Sequence, residues 1–465
     1  MNAFIHDDFL LSSKTACGLY HEFAAGAPIC DYHCHLDPRD LAADRRFENI
    51  TQLWVTTDPY KHRAMRLAGV PERLITGNAA EREKFDAWAA VVPLTLGNPL
   101  HHWTALELKR YFDIVQPLTT DSAPRIWETC QERLREPGFT ARGLLARRAV
   151  SCVCTSDRLL DDLAPHARIA GEGGVTRVLP SLRADEAVAV ESPDFPKWLQ
   201  ALAAATGIPI RDFGSFRAAL TQRLDHFGRA GARLSDHGLD DFSYLSIPDE
   251  EAETRFGRRL RTETFSADDA VRLRSAILRF LGVEYARRGW VMQLHLGARR
   301  RTSSRLRRLA GPAGGYACIG QPCDMPSLCA WFDDLERAEA LPRTILYPLN
   351  PADFVPLAVL CGSFAEDGVA GKLQLGPAWW FNDHATGMRA QLDAIANHGL
   401  LATFIGMTTD SRSLLSMTRH EYFRRVLCEW LGAQVAAGTM PADSGPLGGL
   451  VRALCFDNAR QVLAL

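Results

Sequence analysis

No two of the chain's 12 cysteines are spaced C-x-x-C, and only Cys152 and Cys154 lie within two residues of each other. That excludes the usual paired-cysteine zinc and redox motifs. Cysteines set inside apolar segments, such as Cys361 and Cys428, read as reduced core thiols of a reducing compartment. No apolar run reaches the length that spans a bilayer. The stretch from Met1 to Ser13 carries Asp7 and Asp8 side by side and no basic cluster, so it does not resemble a signal peptide. Neither sign of charge dominates: Lys plus Arg number 53 against Asp plus Glu 55, a net charge of -2. Nothing global attracts nucleic acid or an anionic membrane. There is no internal repeat, no low-complexity tract, and no Gly-rich dinucleotide turn after any early strand. The expectation is a soluble, cytoplasmic protein with neither partner.

What is present is an ordinary globular composition, 47% hydrophobic over 465 residues. This is enough for a large core in one big domain or two to three average ones. The run Pro28-Ile-Cys-Asp-Tyr-His33-Cys-His35-Leu-Asp-Pro38 reads as a strand stopped by proline. Side chains alternate along a strand, so His33 and His35 share a face and are placed to chelate one ion. Phe9 to Ala25 before it has helical spacing. After it, helical segments run to Arg148, punctuated by Pro93, Gly97-Asn98-Pro99, Pro117 and Pro137-Gly138. Then come strand-like runs at Ala149–Asp157, Arg177–Arg183, Ala232–His237, Trp290–Gly297, Arg343–Asn350, Gly371–Trp380 and Leu401–Asp410, most of them separated by helical stretches. Eight strands alternating with helices predict an α/β fold, a (β/α)8 TIM barrel with a helical insertion after the first strand. On this reading residues 1–45 hold an N-terminal helix and the first strand. Residues 46–148 are the insertion, and 149–465 complete the barrel and add C-terminal helices.

Such barrels carry their chemistry at the carboxyl ends of the strands. His33 and His35 end the first strand and Arg183 the third. Asp236 ends the fourth, within Ser235-Asp236-His237. His295 ends the fifth, with Arg299-Arg300-Arg301 close behind. Trp379 and Trp380 follow the seventh, and Asp410 and Arg412 end the eighth with matching parity. Singly, each has a plain structural reading: a core histidine, a turn aspartate, a solvated arginine run with one working member, a core tryptophan. Together, three histidines and an aspartate at the same end of strands one, five and eight point to a metal site.

These segments carry a resemblance. Asp31-Tyr-His-Cys-His-Leu-Asp-Pro38, Tyr60-Lys-His-Arg-Ala-Met-Arg66, Gln293-Leu-His-Leu-Gly297, Trp379-Trp-Phe-Asn-Asp383, Thr409-Asp-Ser-Arg-Ser413 and Thr418-Arg-His-Glu-Tyr-Phe-Arg-Arg425 resemble the uronate isomerase (glucuronate isomerase) family of the amidohydrolase superfamily, over nearly the whole chain. The resemblance implies interconversion of D-glucuronate with D-fructuronate and of D-galacturonate with D-tagaturonate. It implies a divalent metal, zinc by preference, on His33, His35 and Asp410, with His295 close by. Tyr60 and Arg412 would touch the sugar hydroxyls and carbonyl, and Arg183 would face the carboxylate. Asp236, Arg299, Trp379 and Trp380 are the further substrate-binding candidates. A hexuronate and further copies of the same chain are the expected partners. One departure stands out: Pro59 occupies the place of a family histidine just before the tyrosine, with His62 the nearest substitute.

The residue types suit that chemistry. Moving a carbonyl from C1 to C2 needs a base at the C2 proton, for which Asp410 is the candidate, and an electrophile for the enediolate oxygens. Arginine binds a carboxylate bidentately, as lysine does not. The main alternative is a metal-dependent amidohydrolase or deaminase that activates water. Such hydrolases commonly carry a carboxylated lysine on the fourth strand or a histidine on the sixth. The fourth-strand candidate here is Ser235-Asp236-His237 and the sixth is Tyr347-Pro-Leu-Asn350. A non-catalytic sugar-acid-binding barrel is a third reading.

Overall fold

Parallel strands covered on both faces must be apolar almost throughout, and Ile29–Cys34 (β1) is buried at all six positions. A computed structural model describes residues 4–240, 242–261 and 264–465. Six further strands of the same sheet follow among the described residues: Val150–Arg158 (β2), Arg177–Arg183 (β3), Leu234–Leu239 (β4), Val291–Leu296 (β5), Thr344–Pro348 (β6) and Leu373–Leu375 (β7). Each pairs in parallel with the next, so the sheet order is the chain order. Strands added always on the same side, each with the right-handed twist, curl the sheet around an axis. The result is an α/β fold built on a curled, seven-stranded parallel sheet.

The run Leu401–Asp410, expected as an eighth strand, is not one. Leu401–Thr403 is a 3-10 turn and no strand is assigned through Asp410. Two of its backbone donors go to side chains. Ile405 N–H donates to Gln374 (2.9 Å) and Thr409 N–H to Asp31 (2.7 Å). Asp410 N–H reaches the His33 carbonyl (3.1 Å), and His35 N–H in turn donates to the Ser411 carbonyl (2.9 Å). Gly406 sits at φ 95, where a Cβ would lie 2.2 Å from the Leu454 carbonyl oxygen. That bend keeps the segment out of a ladder while laying it along β1.

Between β1 and β2 the chain is helical. The early part of this stretch holds two helices, Ile50–Trp54 and Pro59–Leu67 (α1), separated around Asp58-Pro59. Asp58 caps α1 by accepting from Tyr60 N–H (2.9 Å) and Lys61 N–H (3.3 Å), and proline at the first helical position needs no partner. Pro99–Phe112 (α2), capped by Asn98, packs Trp103 against Tyr60. Near the C-terminus, Thr418–Ala436 (α3) is buried along most of its length. Its Arg424 donates to the carbonyls of Ala27 (2.7 Å) and Pro28 (2.6 Å), which fixes the entry of β1. No helix among the described residues is long and apolar enough to cross a membrane.

Glu421 of α3 collects three arginines: Arg110 (2.7 Å), Arg148 (3.1 Å) and Arg425 (3.0 Å). Burial alone would raise its carboxyl, but Arg110 and the other two outweigh it and hold it down to about 2. A folded-state value below the unfolded one adds stability that is present above pH 4.5 and lost as pH falls through about 2. Glu421→Gln leaves three crowded guanidiniums without their anion. Chemical denaturation at neutral pH should show a loss of about 3 kcal/mol, and the variant's remaining stability should fall less between pH 4.5 and 2 than the native protein's.

Candidate active site

The floor of the site is made where β1, β5 and the 408–412 segment meet. Asp31 sets the relation of β1 to that segment: its carboxylate accepts from Thr408 Oγ1 (2.8 Å), Thr409 N–H (2.7 Å) and Thr409 Oγ1 (2.6 Å). Asp410 then lies with Oδ1 3.1 Å from His33 Nε2 and 3.0 Å from His35 Nε2. It adopts φ 48, a left-handed conformation that costs a non-glycine residue about 1 kcal/mol and tends to collect at functional sites. Trp380, on the same cavity, also has φ 48. His295 stacks on Tyr347 at 4.6 Å and 7°, and its ring lies 4.7 Å from that of His33.

His33, His295 and Asp410 bring one ligand atom each to within 4.8 Å of one another, all buried. Several of the polar atoms here lack hydrogen-bond partners: both nitrogens of His33, His295 Nδ1 and Asp236 Oδ1. The close approaches His33–Asp410 and His295–Asp236 (2.8 Å) therefore lack hydrogen-bond geometry. Buried polar atoms that converge without bonding one another are the arrangement expected of ligands that share a cation. His295 thus lies close to His33 and Asp410, and His35 Nε2 stands 3.0 Å from Asp410 Oδ1. Burial pushes Asp410 up, but His33 and His35 outweigh it and keep the carboxylate well below the usual range. Burial takes His35 down to about 4. At His33 burial is overcome by Asp236 and Asp410, and the value rises.

Above this floor opens a cavity of about 420 Å³ whose lining includes Arg63, Arg158, Arg183, Arg300 and Arg412 against one carboxylate, Asp410. Five guanidiniums around one small volume make it a receptor for an anion. Arg183 is held by Asp236 (2.7 Å) and Asp185 (2.8 Å). Gly238 makes that possible, because a Cβ there would lie 2.7 Å from Arg183 Nη2. Arg300 pairs with Asp240 and lies over the Trp380 ring at 5.4 Å.

A model of the family described as glucuronate isomerase matches residues 1–463. The chain belongs to the glucuronate isomerase family. It is 45% identical over 461 residues to a uronate isomerase from Bacillus licheniformis, covering 99% of this chain and 98% of that one. Among solved structures, a uronate isomerase from Thermotoga maritima superposes with a TM-score of 0.92 at 29% identity, over 99% of both chains. A glucuronate isomerase from Caulobacter crescentus gives 0.91 at 25% identity, over 99% of this chain and 97% of that one. The protein is an isomerase.

In this glucuronate isomerase family member the cavity brings together His33, His35, Tyr60, Arg183, His295, Trp379, Trp380, Asp410 and Arg412 from the sequence candidates. Asp236 stands behind the wall, fully buried between Arg183 and His295. Arg299 does not join: it is exposed, and Arg300 lines the cavity instead. Alternation from His295 would carry position 299 inward, but Gly297 at φ 73 reverses the parity. His62 is buried with Nε2 on the Val55 carbonyl (2.9 Å) and is not among the lining residues, so Pro59 has no imidazole substitute there. Sequence reasoning missed Arg63, Arg158 and Ser156. Arg63 was findable as the residue three after Tyr60 on one helix face, and Arg158 as the parity partner of Ser156 at the end of β2.

Proposed function

We propose that this isomerase interconverts D-glucuronate with D-fructuronate, and D-galacturonate with D-tagaturonate. One observation carries the reading: a carboxylate held ionised between two histidines at the base of a cavity lined by five arginines. The acidic sugar binds through its carboxylate to the arginine wall, with Arg183 and Arg300 as the bidentate candidates. Asp410 removes the C2 proton and returns it to C1 on the same face, while Arg412 and the Tyr60 hydroxyl face the oxygens that become the enediolate. The indoles of Trp379 and Trp380 exclude water from the sugar ring's apolar face. A divalent ion, zinc in this reading, would be held by His33, His35 and Asp410 with His295 beside them, and when bound it supplies a Lewis acid for the developing oxyanion. The buried, unpartnered nitrogens of His33 and His295 support that assignment.

The reading extends to the architecture. Residues 404–410 take the eighth-strand position of a (β/α)8 barrel against β1, and residues 46–148 are a helical insertion that presents Tyr60 and Arg63. Twelve unbridged cysteines support a cytoplasmic setting. Assembly into a homo-oligomer completes the proposal, and light scattering on the purified protein measures it.

Incubation of D-glucuronate with the protein in deuterated water tests the activity. The expected product is D-fructuronate, with deuterium entering C1 only as far as the proton on Asp410 exchanges with solvent. Hydrolysis of amide or ester substrates with no ketose formed would replace this reading with the hydrolase alternative.

A further inference from the structure

Behind Tyr60, on the side away from the cavity, two charged side chains are sealed into the protein. Asp383 is 3% exposed and Arg419 is 1% exposed, and neither lines the cavity. The Tyr60 hydroxyl is 2.9 Å from Asp383 Oδ2, and Arg419 Nη1 is 3.5 Å from the same oxygen. The Arg419 guanidinium lies 4.6 Å from the centre of the Tyr60 ring and 4.2 Å from that of Trp103. Trp103 meets the Tyr60 ring edge-on at 5.6 Å. The phenol is thus gripped at its ring by Arg419 and Trp103 and at its oxygen by Asp383.

The loop that carries Asp383 is pinned independently. Trp379 Nε1 donates to the Tyr347 carbonyl (3.1 Å) and Asn382 Nδ2 to the Leu349 carbonyl (2.8 Å). Around the pair lie Asp58 and Lys61 from the start of α1, Glu107 from α2, and Asp410 across the cavity floor. Burying an ion pair is costly, and apolar side chains of similar volume often stabilise a fold equally well. Retaining one whose contacts both end on a cavity-lining tyrosine calls for a reason at that tyrosine.

We propose that Asp383 and Arg419 are positioning residues for Tyr60, fixing both its ring and the direction of its hydroxyl proton relative to the substrate oxygens. The inference rests on the role of Tyr60 stated under Proposed function. With Asp383 ionised, the phenol donates to the carboxylate and turns its lone pairs to the cavity. With Asp383 protonated, the carboxyl donates and the phenol proton faces the substrate. Burial raises Asp383 to about 7, so both arrangements lie within reach of neutral pH.

The test is a double-mutant cycle on Asp383→Asn and Tyr60→Phe, read as kcat and KM with D-glucuronate and as affinity for L-gulonate, the substrate lacking its carbonyl. Asp383→Asn alone should lower kcat about tenfold with KM nearly unchanged, and flatten the pH dependence of kcat near 7. In the Tyr60→Phe background the same change should cost less than about twofold. Equal losses in both backgrounds would overturn the proposal, as would a loss that follows the melting temperature. Should Tyr60→Phe turn over too slowly to measure, the cycle is read on L-gulonate affinity with the same criterion. Should Asp383→Asn not fold, Arg419→Lys, which keeps the buried charge, replaces it in the cycle. A native protein that forms no ketose would fail the reading of Tyr60 itself, whereas a native protein that isomerises but shows additive losses fails only the positioning role.

Discussion

Asp410→Asn is expected to slow conversion of D-glucuronate by roughly three to four orders of magnitude while leaving the melting temperature close to native. The amide matches the carboxylate in shape, and asparagine is among the few residues that tolerate the left-handed φ of 48 at this position. What it lacks is the charge. His33 and His35 outweigh burial and hold the carboxylate well below its usual range. It can therefore take a carbon-bound proton, which an amide cannot. The loss should fall on kcat, since the proton transfer exists only in the transition state. Ketose formation followed by NMR, with thermal unfolding as the control, makes the measurement. A folded variant that works at near-native rate would remove Asp410 from the reaction.

His33→Asn is expected to leave less than about one tenth of the native complement of divalent metal after gel filtration, measured by elemental analysis. His33 is fully buried, and both its ring nitrogens lack hydrogen bonds within the protein. The same replacement at His35 and at His295 separates the two ligand sets. Depletion at His35 supports the set with His33 and Asp410, whereas depletion at His295 with His35 unaffected supports the trio of mutually close atoms. Metal content unchanged in all three variants would end the assignment. Activity regained on adding zinc to a depleted variant would show that the fold survived.

Much of the fold could be read along the chain because strand and helix periods are local. The third strand runs over Arg177–Arg183, the bounds its pattern predicts, even with Pro180 inside it. Elsewhere the ends moved by one or two residues. Two segments departed further. The seventh strand spans only Leu373–Leu375, and Gly376 just beyond it packs against the Tyr347 ring, where a Cβ would come within 2.8 Å. The run through Leu401–Asp410 has strand-like residues, but its Ile405 and Thr409 N–H groups go to the side chains of Gln374 and Asp31 on other elements.

The candidate site divides in the same way. A strand end, its parity and its charged residue types belong to short stretches of chain, so His33, His35, His295, Asp410 and Arg412 could be singled out from spacing alone. Which of them share a point in space depends on how far the sheet curls, and that brought His295 of β5 within 4.8 Å of His33 and Asp410. The exchange of Arg299 for Arg300 turned on the backbone sign at Gly297. The Asp383–Arg419 support behind Tyr60 joins positions 323 and 359 residues away, through contacts that no local pattern encodes. Local sequence settles which side chains stand at the rim, because alternation acts over two or three residues. Packing between distant elements alone settles which of them meet, because charge and hydrogen bonding act across space.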